Sequence, residues 1–388
     1  MELQKKVCFM SVCHAPFDDR IYKKEALTLA KNGFDVYHIC YGDENQDFVT
    51  NDNIRIIQLQ KKRKGKSLKT VFAALKQTRL QDMFEVAKNL NADVYHLHDV
   101  ELCSIAMQLK KLPHQPKVIY DAHEPYDVFF REFWYKRPFV RFLLSDLPAV
   151  RAEKRILSKV DYLIATETNV ANRFRKQNPN TAVIYNYSYF NPKKSDLESH
   201  TKEFDVVYCG SISQDKGIFA MLDALIVAKK RGYELKMVLV GACNSPALLS
   251  KIEHIIQKEN LKDNVVFTGE IPLEKVSEYY EKSKTAFCLF ALNRTNATLL
   301  PIKLFEYAAF GLPIIGSDFG HIGKIIRDND IGVCVHPHSV EEVATALIQL
   351  IKDDTYKQYI SRCMHCVKTK YLWENQQDAL LKIYRTLL

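Results

Sequence analysis

The chain has 388 residues, 47% of them hydrophobic and 26% charged, long enough for two domains that each bury a core. Its formal charge of +9 points to an anionic partner: a nucleotide, a nucleic acid or an acidic membrane. No charged leader with a small-residue cleavage site opens the chain, and no apolar run reaches membrane-spanning length, which argues against secretion and against a membrane span. The ten cysteines are scattered without paired spacing, and Cys8, Cys209, Cys288 and Cys334 fall in apolar runs. Reduced thiols acting as small hydrophobes in a cytosolic protein are therefore expected. The C-x-x-C of Cys363 and Cys366 has no second pair beside it and is weak evidence for zinc. In a cytosolic chain the sequons at Asn186, Asn293 and Asn296 carry no meaning.

Short apolar runs alternate with amphipathic stretches throughout. In the first half, strands are expected at 6–13 (KVCFMSVC), 35–42, 54–60, 93–99, 117–123, 162–167 and 182–186, with helical patterns between them such as 20–32 and 69–90. The stretch 187–203 (YSYFNPKKSDLESHTKE) is polar, contains a proline and lacks periodicity, so it reads as a linker. Strands then resume at 204–210, 236–241, 264–268, 285–292, 312–317 and 331–336. Near-continuous apolar strands alternating with helices describe a parallel sheet covered on both faces. The expected fold is α/β, with two Rossmann-like doubly wound domains facing a central cleft: residues 1–186, a linker at 187–203, and residues 204–369. The closing helical segment, 370–388, has no strand after it and could pack back across either half, the N-terminal domain included.

In open parallel sheets ligands bind beyond the carboxyl ends of the strands, and the segments with chemical potential lie there. "SVCHAPFDDR" (11–20) follows the first strand and carries His14, Asp18, Asp19 and Arg20. "DVYHLHDVE" sets His96 and His98 on one face of a strand end, followed by Asp99. Two imidazoles with carboxylates hold a metal only if all of them converge, and metal is not the expectation. In "YDAHE" (120–124), His123 ends a strand between Asp121 and Glu124. Such a histidine is either a hydrogen-bonded structural residue or a substrate contact with a tuned pKa.

"CGSISQDKGI" (209–218) turns at Gly210 and Ser211 and places Lys216 where a helix begins, a plausible phosphate site beside free N–H groups. Neither a G-x-G-x-x-G nor a Walker A run is present. In "PIKLFEYAAFGLPIIGSD" (301–318), Pro301 and Gly311 bracket a short helix with Lys303 and Glu306 one turn apart. These two are either a surface ion pair worth about 0.2–0.5 kcal/mol or part of a site. The D-x-D of "RDNDIG" (327–332) precedes a strand and reads as a turn.

Taken together, these segments and their order resemble the glycosyltransferases of the GT-B fold. The resemblance is closest to family 4, a retaining group, and spans nearly the whole chain; "FDDRIYKKEALTLAKNGFDV" (17–36), "YDAHE" and "PIKLFEYAAFGLPII" look like its bacterial surface-polysaccharide branch. The resemblance implies transfer of a sugar from a UDP- or GDP-linked nucleotide-sugar to a glycan or lipid-linked glycan, with retention and without a metal or other cofactor. Nucleic acid is not an implied partner. By the resemblance the C-terminal half binds the donor: Gly210, Ser211 and Lys216 at the diphosphate, Glu306 at the ribose, and Lys303 as a second cation. His123 would reach the donor sugar near the reacting carbon. His14, Asp18, Asp19, Arg20 and His98 would lie on the acceptor side.

Two positions depart from the family pattern. Ser211 stands where an arginine is usual, and Thr298 stands where the first of two glutamates eight positions apart is usual. These departures keep open a catalytically silent GT-B-like protein that binds a nucleotide-sugar or a partner enzyme. A sugar-nucleotide epimerase is a further alternative. Finally, residues 129–155 combine five phenylalanines, Trp134 and Tyr135 with seven basic residues and three acids, and "KKRKGKSLK" (61–69) carries six basic residues and no acid. Either these are core aromatics and solvated charges, or they form a face for the anionic inner surface of the cytoplasmic membrane.

Overall fold

The computed structural model describes residues 4–61, 80–123, 148–193 and 200–388. It divides into two compact units: Met1–Asn186 with Gln376–Leu388, and Tyr187–Asn375. The expected basic cluster at 61–69, apart from Lys61, lies outside the described residues, as does 129–147 of the aromatic stretch.

The first unit is built on an eight-stranded sheet. Its strands are β1 (Lys6–Met10), β2 (Asp35–Gly42), β3 (Gln46–Val49), β4 (Ile54–Gln60), β5 (Val94–Leu97), β6 (Lys117–Ala122), β7 (Tyr162–Ala165) and β8 (Thr181–Val183). They lie in the order β3-β4-β2-β1-β5-β6-β7-β8. All neighbours are parallel except β3, which turns back antiparallel on β4 as an edge strand. The apolar runs explain the rest: β1, β5 and β6 sit at the centre with Val7, Phe9, Val94, Tyr95, Ile119 and Tyr120 fully buried. Strand β3 was not expected from the sequence. Its residues QDFV are mostly exposed, so it offers no apolar run, and Asp47 pairs across the hairpin with Arg55 at 2.8 Å.

The helical pattern expected at 20–32 divides into a π-helical turn, Ile21–Ala26, followed by an α-helix, Leu27–Lys31. Within it the Glu25 amide donates to the Arg20 carbonyl at 3.0 Å, a wider loop than an α-helix makes. Residues 81–90 form the described part of the 69–90 pattern.

The second unit holds six parallel strands: β9 (Phe204–Cys209), β10 (Met237–Val240), β11 (Val265–Gly269), β12 (Ser283–Cys288), β13 (Ile314–Ser317) and β14 (Gly332–Val335). Their order is β11-β10-β9-β12-β13-β14. Both sheets are therefore mostly parallel and doubly wound. The segment 187–193, polar in composition, is packed within this unit: Tyr187 and Ser188 are buried, and the Tyr187 ring meets those of Phe305 and Tyr371 at 4.9 and 5.2 Å. The three aromatics of YSYF outweigh the lysines that follow. The closing helix runs Glu374–Leu387, and residues 376–388 belong to the first unit, where Tyr384 is fully buried.

All ten cysteines are free. Cys363 and Cys366 are buried, and the Cys363 thiol donates to the Leu312 and Ile331 carbonyls rather than toward a metal. In the D-x-D, Asp330 takes a left-handed conformation just past helix Gly320–Asn329, which makes that motif a helix stop.

Candidate functional site

Beyond the carboxyl ends of β1, β5 and β6, the first unit gathers charged and imidazole side chains. Arg20 is buried and gives Nε and Nη2 to Asp121 Oδ2 at 2.9 and 2.7 Å, and Nη1 to the Ile184 carbonyl at 3.0 Å. Burial would raise the Asp121 pKa, but the Arg20 charge outweighs it and holds the carboxyl below its ordinary value. Glu25, brought beside Arg20 by the π-helical turn, has its Oε1 3.0 Å from Arg20 Nη2. Burial and the neighbouring Asp121 raise its pKa well above the ordinary value despite Arg20.

Three histidines line the same place. His96 Nδ1 hydrogen-bonds Tyr384 Oη at 2.7 Å, and His98 Nδ1 meets His123 Nε2 at 2.9 Å. Burial pushes His123 down to about 4 and His96 to about 3, so all are neutral at pH 7. His14 reaches Asp18 Oδ2 at 2.8 Å and its ring lies 4.8 Å from that of His123. Its pKa is raised: burial lowers it, and the hydrogen bond and charge of Asp18 more than compensate. Asp18 Oδ1 also accepts from the Arg20 and Ile21 amides at 2.9 Å, closing the turn that starts the helix. Asp19 is tied to Lys24 Nζ at 2.5 Å, and Lys24 also donates to Asn186 at 2.6 Å.

Of the acceptor-side residues expected from the sequence, His14, Asp18 and His98 thus share one cluster, together with His123, which was expected at the donor sugar. Arg20 and Asp19 are committed to internal partners instead. Glu25 and Tyr384 were missed. Glu25 lay hidden in an ordinary amphipathic pattern, and Tyr384 is 288 positions from His96.

In the second unit a different site forms at the ends of β9 and β12. Gly210 has φ +122°, and a Cβ there would come within 2.9 Å of Lys303 Nζ. The loop then folds so that Ser211 Oγ receives a hydrogen bond from Lys216 Nζ at 2.5 Å. Gly217 has φ +78°, and a Cβ there would strike Leu289 Cβ at 2.7 Å. That glycine lets helix Ile218–Lys230 start tight against β12.

Lys303, on helix Ile302–Ala309, is buried. Its ammonium lies 4.0 Å above the Tyr208 ring and, among the described residues, makes no hydrogen bond. Burial pulls its pKa down to about 8, and the Lys216 charge pushes the same way. Burial also lowers Lys216. Glu306 on the same helix is buried and accepts from Tyr280 Oη at 2.9 Å. The Tyr307 hydroxyl accepts from the Cys209 amide at 2.8 Å, fastening the helix to the end of β9. Lys303 and Glu306 are therefore not a surface ion pair. Thr298 closes helix Arg294–Thr298 and is half-buried.

Two family models match in succession. Residues 23–187 match Glycosyltransferase Family 4, and residues 190–365 match glycosyl transferases group 1. This chain belongs to the GT-B glycosyltransferase families. The solved structures agree on the fold. Sucrose-phosphate synthase from Thermosynechococcus elongatus superposes with a TM-score of 0.71 at 18% identity, covering 99% of each chain. HepE of Anabaena, solved in complex with UDP and glucose, gives a TM-score of 0.72 at 13% identity, covering 99% of this chain and 100% of that one. Among curated relatives, the alpha-D-kanosaminyltransferase of Streptomyces kanamyceticus is 25% identical over 183 residues, 47% of this chain and 45% of the relative. The chain thus spans about half the length of the first of the curated relatives it matches. Among its described residues no helix is long and apolar enough to cross a membrane.

Proposed function

We propose that this glycosyltransferase transfers a sugar from a UDP- or GDP-linked donor to a glycan or lipid-linked glycan, with retention, in surface-polysaccharide synthesis. The observation that carries the donor half of this reading is Lys303: a buried ammonium that, among the described residues, makes no hydrogen bond, beside a glycine that leaves backbone room and a second lysine. A buried unpaired cation is unfavourable unless a partner arrives, and a diphosphate supplies two negative oxygens at that place. Lys216, half-exposed on its loop, would meet the same diphosphate, and Lys303 stands in for the arginine that Ser211 replaces. Glu306, oriented by Tyr280, would accept from the ribose hydroxyls. Fixed cations can neutralise the leaving diphosphate without a bound metal. In the first unit His123 and His14 would contact donor sugar and acceptor, and the departing phosphate would take the acceptor proton.

The test is a thermal-shift screen of UDP- and GDP-sugars, since a bound donor stabilises by mass action. The hit is followed by donor consumption with and without glycan acceptors. Stabilisation with acceptor-dependent consumption supports the reading. Stabilisation without any consumption favours the catalytically silent alternative, and no stabilisation by any nucleotide-sugar removes the donor site. Peripheral docking on anionic membrane would draw on the basic and aromatic residues of 61–69 and 129–155. Flotation with anionic vesicles at low salt checks it, and binding indifferent to lipid charge and salt contradicts it.

A further inference from the structure

The histidine and carboxylate cluster of the first unit contains more bare ligand atoms than its hydrogen bonds use. Glu25 Oε2, His96 Nε2, His98 Nε2 and Asp121 Oδ1 are all buried and, among the described residues, have no hydrogen-bond partner, while Glu25 Oε1 is ion-paired to Arg20 Nη2 at 3.0 Å. All four side chains are fully buried, and each offers one ligand atom such that the four atoms lie within 4.8 Å of one another. Each imidazole is held by its other nitrogen: His96 Nδ1 by Tyr384, His98 Nδ1 by His123. Metal-bound histidines are held in this way, the outer hydrogen bond fixing tautomer and ring direction. Asp121 is likewise anchored through Oδ2 by Arg20, which leaves Oδ1 bare.

Charge points the same way. Glu25 and Asp121 face one cation, Arg20, so the cluster falls one charge short of neutral when both carboxyls are ionised. Lys24, the next nearest cation on that turn, is taken by Asp19 and Asn186. A divalent ion would more than offset the excess, leaving one net positive charge, and would give one bare atom on each of the four side chains a partner. The Arg20 charge works against it, and the two carboxylates together outweigh that.

We propose that Glu25, His96, His98 and Asp121 form a closed four-ligand site for a divalent transition metal of the zinc type. Two nitrogens and two oxygens with no open position suit a structural tetrahedral ion rather than a catalytic one. The ion is separate from the donor diphosphate, and this inference does not rest on the proposed transfer reaction. It has one consequence for the site: with Nε2 on the metal, His98 keeps its proton on Nδ1 and donates it to His123 Nε2. His123 is thereby fixed in one tautomer.

The experiment uses the full chain, stripped with chelator, then loaded with Zn²⁺ or Co²⁺ and gel-filtered before elemental analysis. About one ion per chain is expected, with Co²⁺ showing visible absorption of a tetrahedral nitrogen–oxygen site and no thiolate charge-transfer band. Glu25→Gln and His96→Gln should each abolish retention. Cys13→Ser should not, which separates this site from the group of exposed Cys13 and Glu101 with buried Asp99. Retention undiminished in Glu25→Gln or His96→Gln, or a cobalt–thiolate band, overturns the proposal. So does wild type that retains no ion, and an infrared protonated-carboxyl band would then show that a proton on Glu25 does the work assigned to the metal. The wild-type spectra decide even if a variant fails to fold.

Discussion

Arg20 and Lys303 are both buried cations at the carboxyl ends of parallel strands, yet their surroundings are opposite. Arg20 has a carboxylate at 2.7 Å, a second at 3.0 Å and a carbonyl at 3.0 Å. Lys303 has an aromatic face at 4.0 Å and, among the described residues, no hydrogen bond. The first cation is part of the fold, and its charge is answered within the chain. The second meets aromatic faces and the nearby charge of Glu306 but, among the described residues, no hydrogen-bond acceptor, which is the difference the donor-site proposal builds on. Burial alone does not separate structural from functional charges; the partner list does.

The largest effect comes from making the same change at both places. Arg20→Met should lower the unfolding free energy by about 3–5 kcal/mol, since it strands a buried carboxylate. Urea denaturation in chelator measures it, and a loss below about 1 kcal/mol would mean that the cluster is not charge-coupled. Lys303→Met should leave stability unchanged or raise it, because it removes an unpaired buried charge. The same variant should weaken UDP or GDP binding by about ten- to a hundred-fold, the worth of a charged hydrogen bond of roughly 1.5–3 kcal/mol. Titration calorimetry on the folded variant checks this; equal affinity with lower stability would make Lys303 a structural residue like Arg20.

A smaller effect is the pH dependence. The folded pKa of Lys303 is depressed to about 8 from an ordinary 10.5. Between those values the unfolded chain holds a proton that the folded one lacks. Stability from this group is therefore greatest at high pH, falls as pH drops from 10.5 to about 8, and is level below. Nucleotide binding has the opposite sense. It requires the charged form, so affinity should fall as pH rises above about 8, by at most about tenfold per unit. The slope should vanish in Lys303→Met. The smallest effect is at Glu306: Tyr280→Phe removes one hydrogen bond to a buried carboxylate and should lower stability by about 1–3 kcal/mol. Nucleotide affinity should fall less than in Lys303→Met, and a reversed order would make Glu306 rather than Lys303 the main donor contact.

Much of this fold was legible because parallel strands buried on both faces are written as continuous apolar runs, as in KVCFM and FDVVYC. The edge strand β3 was not, since a strand exposed on both sides needs no apolar pattern. The placement of Gly210, Lys216 and Lys303 at turns and helix starts was legible because turn glycines and helix-start cations carry local signals. The Arg20–Glu25 pairing was not. A five-residue spacing puts two side chains on different faces of an α-helix, and the π-helical turn that aligns them has no sequence mark. Tyr384 could not be placed either, because nothing in a closing amphipathic helix says which strand end it will meet.

The central claim is that Lys303 waits for a nucleotide diphosphate, and proton linkage tests it most directly. UDP and GDP binding to the wild-type chain is measured by calorimetry at about pH 8.5, in buffers of different ionisation enthalpy, so that heat reports protons exchanged. Lys303 is then mostly neutral when free and charged when bound, so a substantial fraction of one proton should be taken up per nucleotide, and none in Lys303→Met. Tight nucleotide binding without proton uptake would contradict the account.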